Sequence, residues 1–264
     1  MNNQSDNFIL KDLKFTPITK QELLNHAHAK GVFTTLKVVK GVPIDIDKHL
    51  QRLQHDAQLV GINLLELDLL RSTLLHFLEA RDNNECVLKI VLTSKQLNSK
   101  NQKIQLCIQF RPYTAWPQTL KLKICKNPLP RNDKIAGLKT LDRENIEMAS
   151  REFQNNPEFN GGLLLDTEQS VIESTIANIF WYNDYTFYTP SLKFAGVNGI
   201  CRKNIIENLT KNNDKIVIDN FNISDLLNAH HAWLCNSVRG IKSIAFIENK
   251  SFSLDDSITH KLLN

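Results

Sequence analysis

The densest hydrophobic pattern of the chain lies in residues 163–189, where short apolar runs alternate with polar turns. Runs of this length, separated in this way, are typical of consecutive β-strands. The pattern predicts four strands: residues 163–165, 171–172, 178–181 and 186–189. One carboxylate, Glu173, lies inside this region, and an unpaired buried charge costs roughly several kcal/mol. We therefore expect Glu173 to form a salt bridge, to face water at a strand end, or to face a protonated heterocyclic nitrogen.

In the N-terminal half, alternating residues predict a β-hairpin of residues 31–39 and 42–44 with a turn at Lys40-Gly41. Successive side chains of a strand point to opposite faces. One of Thr34 and Thr35 can therefore reach a pocket while the other packs.

Helical periodicity then predicts helices at residues 46–59 and about 65–79, with Asp45 or Asp47 capping the first. Strands are expected at residues 86–93 and 104–110, with a polar loop at residues 94–103 between them. Arg52 lies beside the buried stripe of the first helix, so it either extends to solvent or points at an anion.

Two prolines in residues 111–117 interrupt regular structure and predict a linker. We expect a small N-terminal α/β domain at residues 1–111, a linker at 112–119 and a larger C-terminal domain at 120–264. Both halves mix strands and helices, so the predicted class is α/β or α+β.

In the C-terminal half, Lys139 lies between Leu138 and Leu141, before a helix expected to begin near residues 140–142 with Thr140 or Asp142 as its cap. The positive end of a helix dipole and desolvation both lower the pKa of a lysine, which prepares its amine for Schiff-base chemistry. The alternative is an ordinary surface lysine.

Gly196 and Gly199 precede a helix expected from Ile200, and free amides at a helix start favour a phosphate. Ser237, just after a predicted strand, could add a hydroxyl. The other elements expected here are strands at 120–125, 216–218, 232–235 and 241–247, a short helix at 224–228 and a terminal helix from about residue 254.

Composition narrows the function classes. The chain has 264 residues and a net charge of +4, with no basic block interleaved with aromatics, so nucleic acid is not an expected partner. Five scattered cysteines without a CxxC spacing indicate the reduced thiols of a cytoplasmic protein. The polar first residues and the absence of a long apolar run lead us to expect neither a signal peptide nor a transmembrane helix. The pairs His26/His28 and His230/His231 lack a third ligand at a recognised spacing, so no metal site is predicted.

A lysine amine, a carboxylate one strand pair later, a glycine-rich turn before a helix and an upstream arginine match the needs of pyridoxal phosphate. With these residues in place, the chain resembles the fold-type IV pyridoxal phosphate enzymes, the class IV aminotransferase family. The matching segments follow the family's order: residues 31–35, 49–53, 139–140, 163–166, 172–174, 177–180, 188–190 and 199–202.

The resemblance implies a two-domain fold, a homodimer and bound pyridoxal 5'-phosphate. It implies that Lys139 bonds covalently to the cofactor and that Glu173 meets its pyridine nitrogen. Arg52 and the backbone of Ile200 and Cys201 would hold the phosphate, with Ser237 as a lesser candidate. Thr35 would relay a proton during catalysis.

Within the family, Thr35 and Glu144 favour the lyases, which convert 4-amino-4-deoxychorismate to 4-aminobenzoate and pyruvate. The alternative is a class IV aminotransferase acting on branched-chain or D-amino acids. One departure concerns residues 94–102, which lack the glycine- and arginine-rich loop usual in the family. The groups that bind the substrate carboxylates are therefore open, with Lys95, Lys100, Lys103 and Arg111 as candidates.

Overall fold

The computed structural model describes residues 6–27, 30–63, 66–81, 85–96 and 102–263. Its contacts group the chain into two compact units. The first contains residues 1–114 together with Lys139–Asp142, and the second contains Ala115–Leu138 and Arg143–Asn264. The segment that carries Lys139 therefore groups with the N-terminal part, although it follows the start of the second unit in sequence.

The first unit is built on one antiparallel sheet, in the strand order β2-β1-β6-β5-β3-β4. Its elements are β1 (Asn7–Lys11), β2 (Lys14–Pro17), α1 (Lys20–Ala27), β3 (Lys30–Val39), β4 (Val42–Pro43), α2 (Ile46–Leu59), α3 (Leu67–Glu79), β5 (Glu85–Gln96) and β6 (Gln102–Pro112). The long central strands bury every second residue of β3, including Val32, Leu36 and Val38, in a core that α2 covers.

The second unit contains two sheets, in the orders β12-β11-β10-β13-β14 and β16-β15-β7-β8-β9. Its strands are β7 (Lys121–Ile124), β8 (Gly161–Leu165), β9 (Val171–Ser174), β10 (Asn178–Asn183), β11 (Thr186–Pro190), β12 (Lys215–Asp219), β13 (His231–Asn236), β14 (Gly240–Ser243), β15 (Phe246–Ile247) and β16 (Lys250–Ser251). Its helices are α4 (Glu144–Arg151), α5 (Ile200–Lys211), α6 (Ile223–Leu227) and α7 (His260–Leu263). Leu163, Ile179 and Leu234, one from each of three strands, lie in a shared apolar core.

The mixed α/β class is confirmed, and most elements lie where the sequence predicts them. The predicted helix at residues 46–59 is α2, and the four strands of the apolar region are β8 to β11. The second predicted helix is α3, although its expected first residue, Leu65, lies outside the described residues. None of the described helices is long and apolar enough to span a membrane.

Three element predictions are wrong. Residues 241–247 form two strands, because Ile244 donates to Ala232 while Ala245 donates to Leu120, which moves the chain from one sheet to the other. The terminal helix begins only at His260. Strands β5 and β6 extend to Gln96 and from Gln102, into the stretch predicted as a loop, of which residues 97–101 lie outside the described residues.

Candidate active site

Lys139 is held by its backbone against strand β3. Its amide donates to Asp56 Oδ2 at 3.0 Å, and its carbonyl accepts from the Phe33 amide at 2.9 Å. Leu141 donates to the Gly31 carbonyl at 3.0 Å, which continues the pairing. A Cβ at position 31 would lie 2.5 Å from the Leu92 carbonyl oxygen, so this close approach requires glycine. The backbone of Lys139 is thus fixed on both sides.

The prediction that Lys139 lies at a helix start is wrong. Helix α4 begins at Glu144 with Arg143 as its N-cap, so neither Thr140 nor Asp142 caps it. Residues 139–141 do not form a helix, because their backbone groups bond to β3 and Thr140 forms an isolated β-bridge with Val32.

Asp45 is the N-cap of α2 but makes no side-chain cap hydrogen bond, and its φ of 53° places it in the left-handed region.

The Lys139 side chain lies over an aromatic ring on one face of the sheet. Its Nζ is 4.7 Å from the centre of the Phe33 ring. Thr35 follows two residues later in β3 and therefore points to the same face as Phe33. The first unit thus presents a primary amine and a hydroxyl on one face of one strand.

On the opposite face, a buried polar network surrounds Thr34. Arg52 Nη2 donates to Thr34 Oγ1 at 2.6 Å, and Thr34 Oγ1 lies 2.6 Å from His49 Nδ1. The Thr34 hydroxyl and His49 Nδ1 therefore share one hydrogen bond, in which the hydroxyl donates when the imidazole proton is on Nε2 and accepts when it is on Nδ1. The Arg52 side chain, with the residue only 7% exposed, therefore does not extend to solvent.

Burial controls the ionisation of this network. Desolvation, assisted by the positive charges of Arg52 and Lys139, lowers the pKa of His49 to about 3, so the imidazole is neutral. Desolvation also lowers the pKa of Arg52 to about 10, which still leaves the guanidinium charged at neutral pH. The buried Arg52 Nε has no hydrogen-bond partner in the part of the chain that the structure describes. A buried donor of this kind is available for an anion.

In the second unit, Glu173 is 5% exposed on β9. Its Oε2 accepts hydrogen bonds from Asn178 Nδ2 and from the Val197 amide, each at 3.1 Å. Burial lowers the pKa of both Arg143 and Arg202, and the negative charge of Glu173 partly offsets that shift. The carboxylate is therefore held at Oε2 and lies in the field of two cations, the buried Arg202 and the half-buried Arg143.

The same residues shape the start of helix α5. Asn178 Nδ2 also donates to the Val197 carbonyl at 2.8 Å, and the Gly199 amide donates to that carbonyl at 2.9 Å. Gly199 is the N-cap of α5, and a Cβ there would meet Asn178 Oδ1. The first helical bond runs from Lys203 to Gly199, so the amides of Ile200 and Cys201 precede it. The prediction of a glycine-rich turn feeding a helix at Ile200 is confirmed.

The predicted site residues thus fall into two groups. The first unit contains Thr35, Arg52 and Lys139. The second contains Glu173, Ile200 and Cys201, with Ser237 in the turn between β13 and β14. Among the described residues no cluster of three metal-ligating side chains is found, and His28 lies outside those residues.

Sequence reasoning assigned no role to His49, Asp56 or Asn178, and only raised Thr34 as the partner of Thr35. Two spacings in the sequence could have indicated Asp56 and Asn178 as neighbours of predicted site residues. Asp56 follows Arg52 by one helical turn, and Asn178 follows Glu173 by a tight turn between strands.

Comparison with known proteins gives consistent matches. Residues 31–247 match the family model described as amino-transferase class IV. An aminodeoxychorismate lyase of Vibrio harveyi is 33% identical over 142 residues. The matched region is 52% of this chain and 52% of that relative, so the chain spans about half of the relative's length. An aminodeoxychorismate lyase of Bacillus subtilis is 27% identical over 237 residues, which cover 84% of this chain and 79% of that relative. The crystal structure of 4-amino-4-deoxychorismate lyase from Pseudomonas aeruginosa aligns with a TM-score of 0.84 and 25% identity over 97% of this chain and 96% of that one.

Proposed function

Because the chain belongs to the class IV aminotransferase family, whose members depend on pyridoxal phosphate, we propose that it is an aminodeoxychorismate lyase. It would convert 4-amino-4-deoxychorismate to 4-aminobenzoate and pyruvate, and 4-aminobenzoate is a precursor of folate. Two relatives that carry the lyase name support this choice.

The residues present fit the cofactor. The buried Nε of Arg52, which has no hydrogen-bond partner among the described residues, and the amides of Ile200 and Cys201 suit a phosphate. The fixed carboxylate of Glu173 suits a pyridine N–H, and Lys139 supplies the amine that would hold the cofactor covalently. Ser237 is a lesser candidate for the phosphate.

When bound, pyridoxal phosphate supplies an electron sink that acidifies the C–H bond beside the substrate nitrogen. Lys139, whose backbone is held by Asp56 and Phe33, would remove that proton with its amine. Glu173 would sustain the positive charge of the pyridine nitrogen. Thr35 would pass a proton to the departing enolpyruvyl group, which leaves as pyruvate while the ring becomes aromatic.

One observation carries the choice of a lyase. The Lys139 amine lies over the Phe33 ring, and Thr35 points to the same face of β3 as Phe33, so a base and a proton relay would serve one small substrate. An aminotransferase has no leaving enolpyruvyl group for such a hydroxyl to serve.

The test supplies the purified holoprotein with 4-amino-4-deoxychorismate alone and measures both products. We expect pyruvate and 4-aminobenzoate in equal amounts without any added keto acid. Absence of pyruvate, together with amino transfer from a branched-chain or D-amino acid to 2-oxoglutarate, would establish the aminotransferase alternative instead.

A further inference from the structure

Two of the five cysteines meet where the start of helix α5 packs on strand β13. Cys235 is buried on β13, and Cys201 is the half-buried second residue of α5. Both belong to one apolar cluster, which includes Phe180 and Trp233. The thiols of Cys201 and Cys235 share a hydrogen bond, so their sulfur atoms are in contact.

The register of the sheet places this pair beside the residues that shape the start of α5. Cys235 lies directly opposite Asn178 in the pairing of β13 with β10, and directly opposed residues of antiparallel strands project to the same face. Asn178 packs against Gly199, the N-cap of α5, on that face. The Cys201 side chain is therefore held at the strand next to Asn178, while the Cys201 amide precedes the first helical hydrogen bond.

The two thiols differ in reactivity. Burial, and secondly the hydrogen bond with Cys201, raise the pKa of the Cys235 thiol, so Cys235 keeps its proton. Cys201 is the more exposed of the two, and oxidants react with accessible thiols that have a second cysteine beside them. A peroxide therefore meets Cys201 first, with Cys235 in contact as the second thiol.

The other three cysteines have different surroundings. Cys125 donates from Sγ to the Ala149 carbonyl at 3.6 Å and lies in another apolar cluster. Cys86 and Cys107 lie on the neighbouring strands β5 and β6, but the register does not place them opposite each other. Cys201 and Cys235 are thus the pair of thiols that this fold brings together.

We propose that hydrogen peroxide converts Cys201 and Cys235 to a disulfide, and that this bond weakens phosphate binding at the start of α5. The Cys201 sulfur attacks the O–O bond of the peroxide, which gives a sulfenic acid and one water. The Cys235 sulfur then displaces the hydroxyl from that sulfur, and the Cys235 proton leaves with it as a second water. The two thiols lose two electrons, which the peroxide accepts.

Formation of the bond requires the sulfur atoms to close to about 2.05 Å, which draws Cys201 towards β13. Because the Cys201 amide belongs to the same residue, the free amides at the start of α5 would move with it. This effect on phosphate rests on the proposed function, which assigns the amides of Ile200 and Cys201 to the cofactor. Formation of the disulfide does not depend on that assignment.

The experiment treats the purified holoprotein with hydrogen peroxide, alkylates the remaining thiols and analyses tryptic peptides by mass spectrometry. We expect residues 194–202, which contain Cys201, to be linked to residues 216–239, which contain Cys235. The dissociation constant of pyridoxal phosphate, measured by equilibrium dialysis, should rise about tenfold to a hundredfold, the scale of losing a hydrogen bond to a charged group. Dithiothreitol should reverse both changes.

Cys235→Ala distinguishes the disulfide from other effects of the oxidant. This variant should bind the cofactor as the wild type does before treatment, and it should keep that affinity after treatment. Cys107→Ala removes a buried thiol of the first unit and is the matched control, which should respond to peroxide as the wild type does. Should Cys235→Ala fail to fold, as judged by thermal unfolding, Cys235→Ser provides the same comparison.

Absence of the linked peptides from the treated wild-type protein would overturn the inference, and so would an equal loss of cofactor affinity in treated Cys235→Ala. Linked peptides without a change in cofactor affinity would overturn the effect on the phosphate. A reduced wild-type protein that does not bind pyridoxal phosphate would count against the proposed function instead, and the linked peptides would still decide whether the disulfide forms.

Discussion

The two units of the chain hold their candidate reactive groups in different ways. In the first unit, the backbone of Lys139 is fixed by Asp56 and Phe33, and the amine extends from that anchor over an aromatic ring. In the second unit, the carboxylate of Glu173 is itself fixed, by Asn178 and the Val197 amide. An anchored but extended amine can act as a base that moves a proton, whereas a fixed carboxylate supplies a constant field.

The two units also differ in how burial affects their charged groups. The Thr34 network of the first unit contains a neutral histidine and an arginine whose pKa burial lowers. The second unit surrounds a carboxylate with amide donors and two arginines, of which Arg202 is buried and Arg143 half-buried. Substitutions in the first unit should therefore distinguish residues that position the cofactor from residues that transfer a proton. An isosteric substitution at Glu173 should remove the negative charge and keep the shape of the side chain.

The largest effect is expected from Lys139→Ala. It removes the amine while leaving the backbone clamp in place, so turnover should fall by about a thousandfold or more. Initial rates of pyruvate release measure this loss. Lys134→Ala, an exposed lysine five residues earlier, is the control and should retain the wild-type rate. Full activity in Lys139→Ala would show that another lysine is the base.

Glu173→Gln should have the next largest effect. A glutamine oxygen can still accept from Asn178 and Val197, so the substitution removes the charge and keeps the shape. We expect kcat to fall about a hundredfold, the scale of losing one aligned electrostatic group. Steady-state kinetics test this, with the exposed Glu158→Gln as control. An unchanged kcat would refute the electrostatic role of Glu173.

Substitution of the two adjacent threonines sharpens the contrast within the first unit. Thr34→Val leaves Arg52 and His49 without their shared partner, so the free energy of unfolding should fall by about 1–3 kcal/mol. Fluorescence titration should show pyridoxal phosphate binding about tenfold more weakly, since Arg52 loses its orientation. Thr35→Val, the same change on the other face, should lower kcat and keep the cofactor affinity. Equal effects of both variants on cofactor affinity would contradict this division.

The smallest effect concerns pH. The pKa of His49 is about 3 in the folded protein, below its ordinary value of 6.5. Between these values the unfolded chain binds the additional proton, so the free energy of unfolding falls as pH drops below about 6.5. This residue contributes a slope of up to about 1.4 kcal/mol per pH unit, and no slope above that range.

Urea unfolding at several pH values between 5 and 7.5 measures that slope. His49→Asn, which keeps a polar group but does not titrate, should show a shallower pH dependence than the wild type. Identical slopes for the two proteins would rule out His49 as the source of acid sensitivity.

Local patterns predicted the elements well, and long-range contacts account for what they missed. The apolar stripe of α2 and the runs of β8 to β11 are local, and they formed where the pattern placed them. The helix start expected at Thr140 did not form, because residues 139–141 bond to a strand more than a hundred residues earlier. Residue preferences and spacings within a short stretch of sequence do not predict such a long-range contact.

The same reasoning applies to the side chains. The type and order of Arg52, Lys139 and Glu173 suggested a pyridoxal phosphate site from sequence. The contact of His49 with Thr34, the bond from the Lys139 amide to Asp56 and the approach of Lys89 to Phe33 arise only when helix α2 and strands β3 and β5 assemble. The assignment of catalytic and cofactor-binding roles remains a prediction for the experiments above.

The most direct test of the proposed function is to identify the lysine that binds pyridoxal phosphate covalently. The protein loaded with pyridoxal phosphate is reduced with borohydride, digested and analysed by mass spectrometry to locate the pyridoxyl group. We expect this group to be attached to Lys139. Attachment to Lys89, which shares the Phe33 ring, or to any other lysine would contradict it.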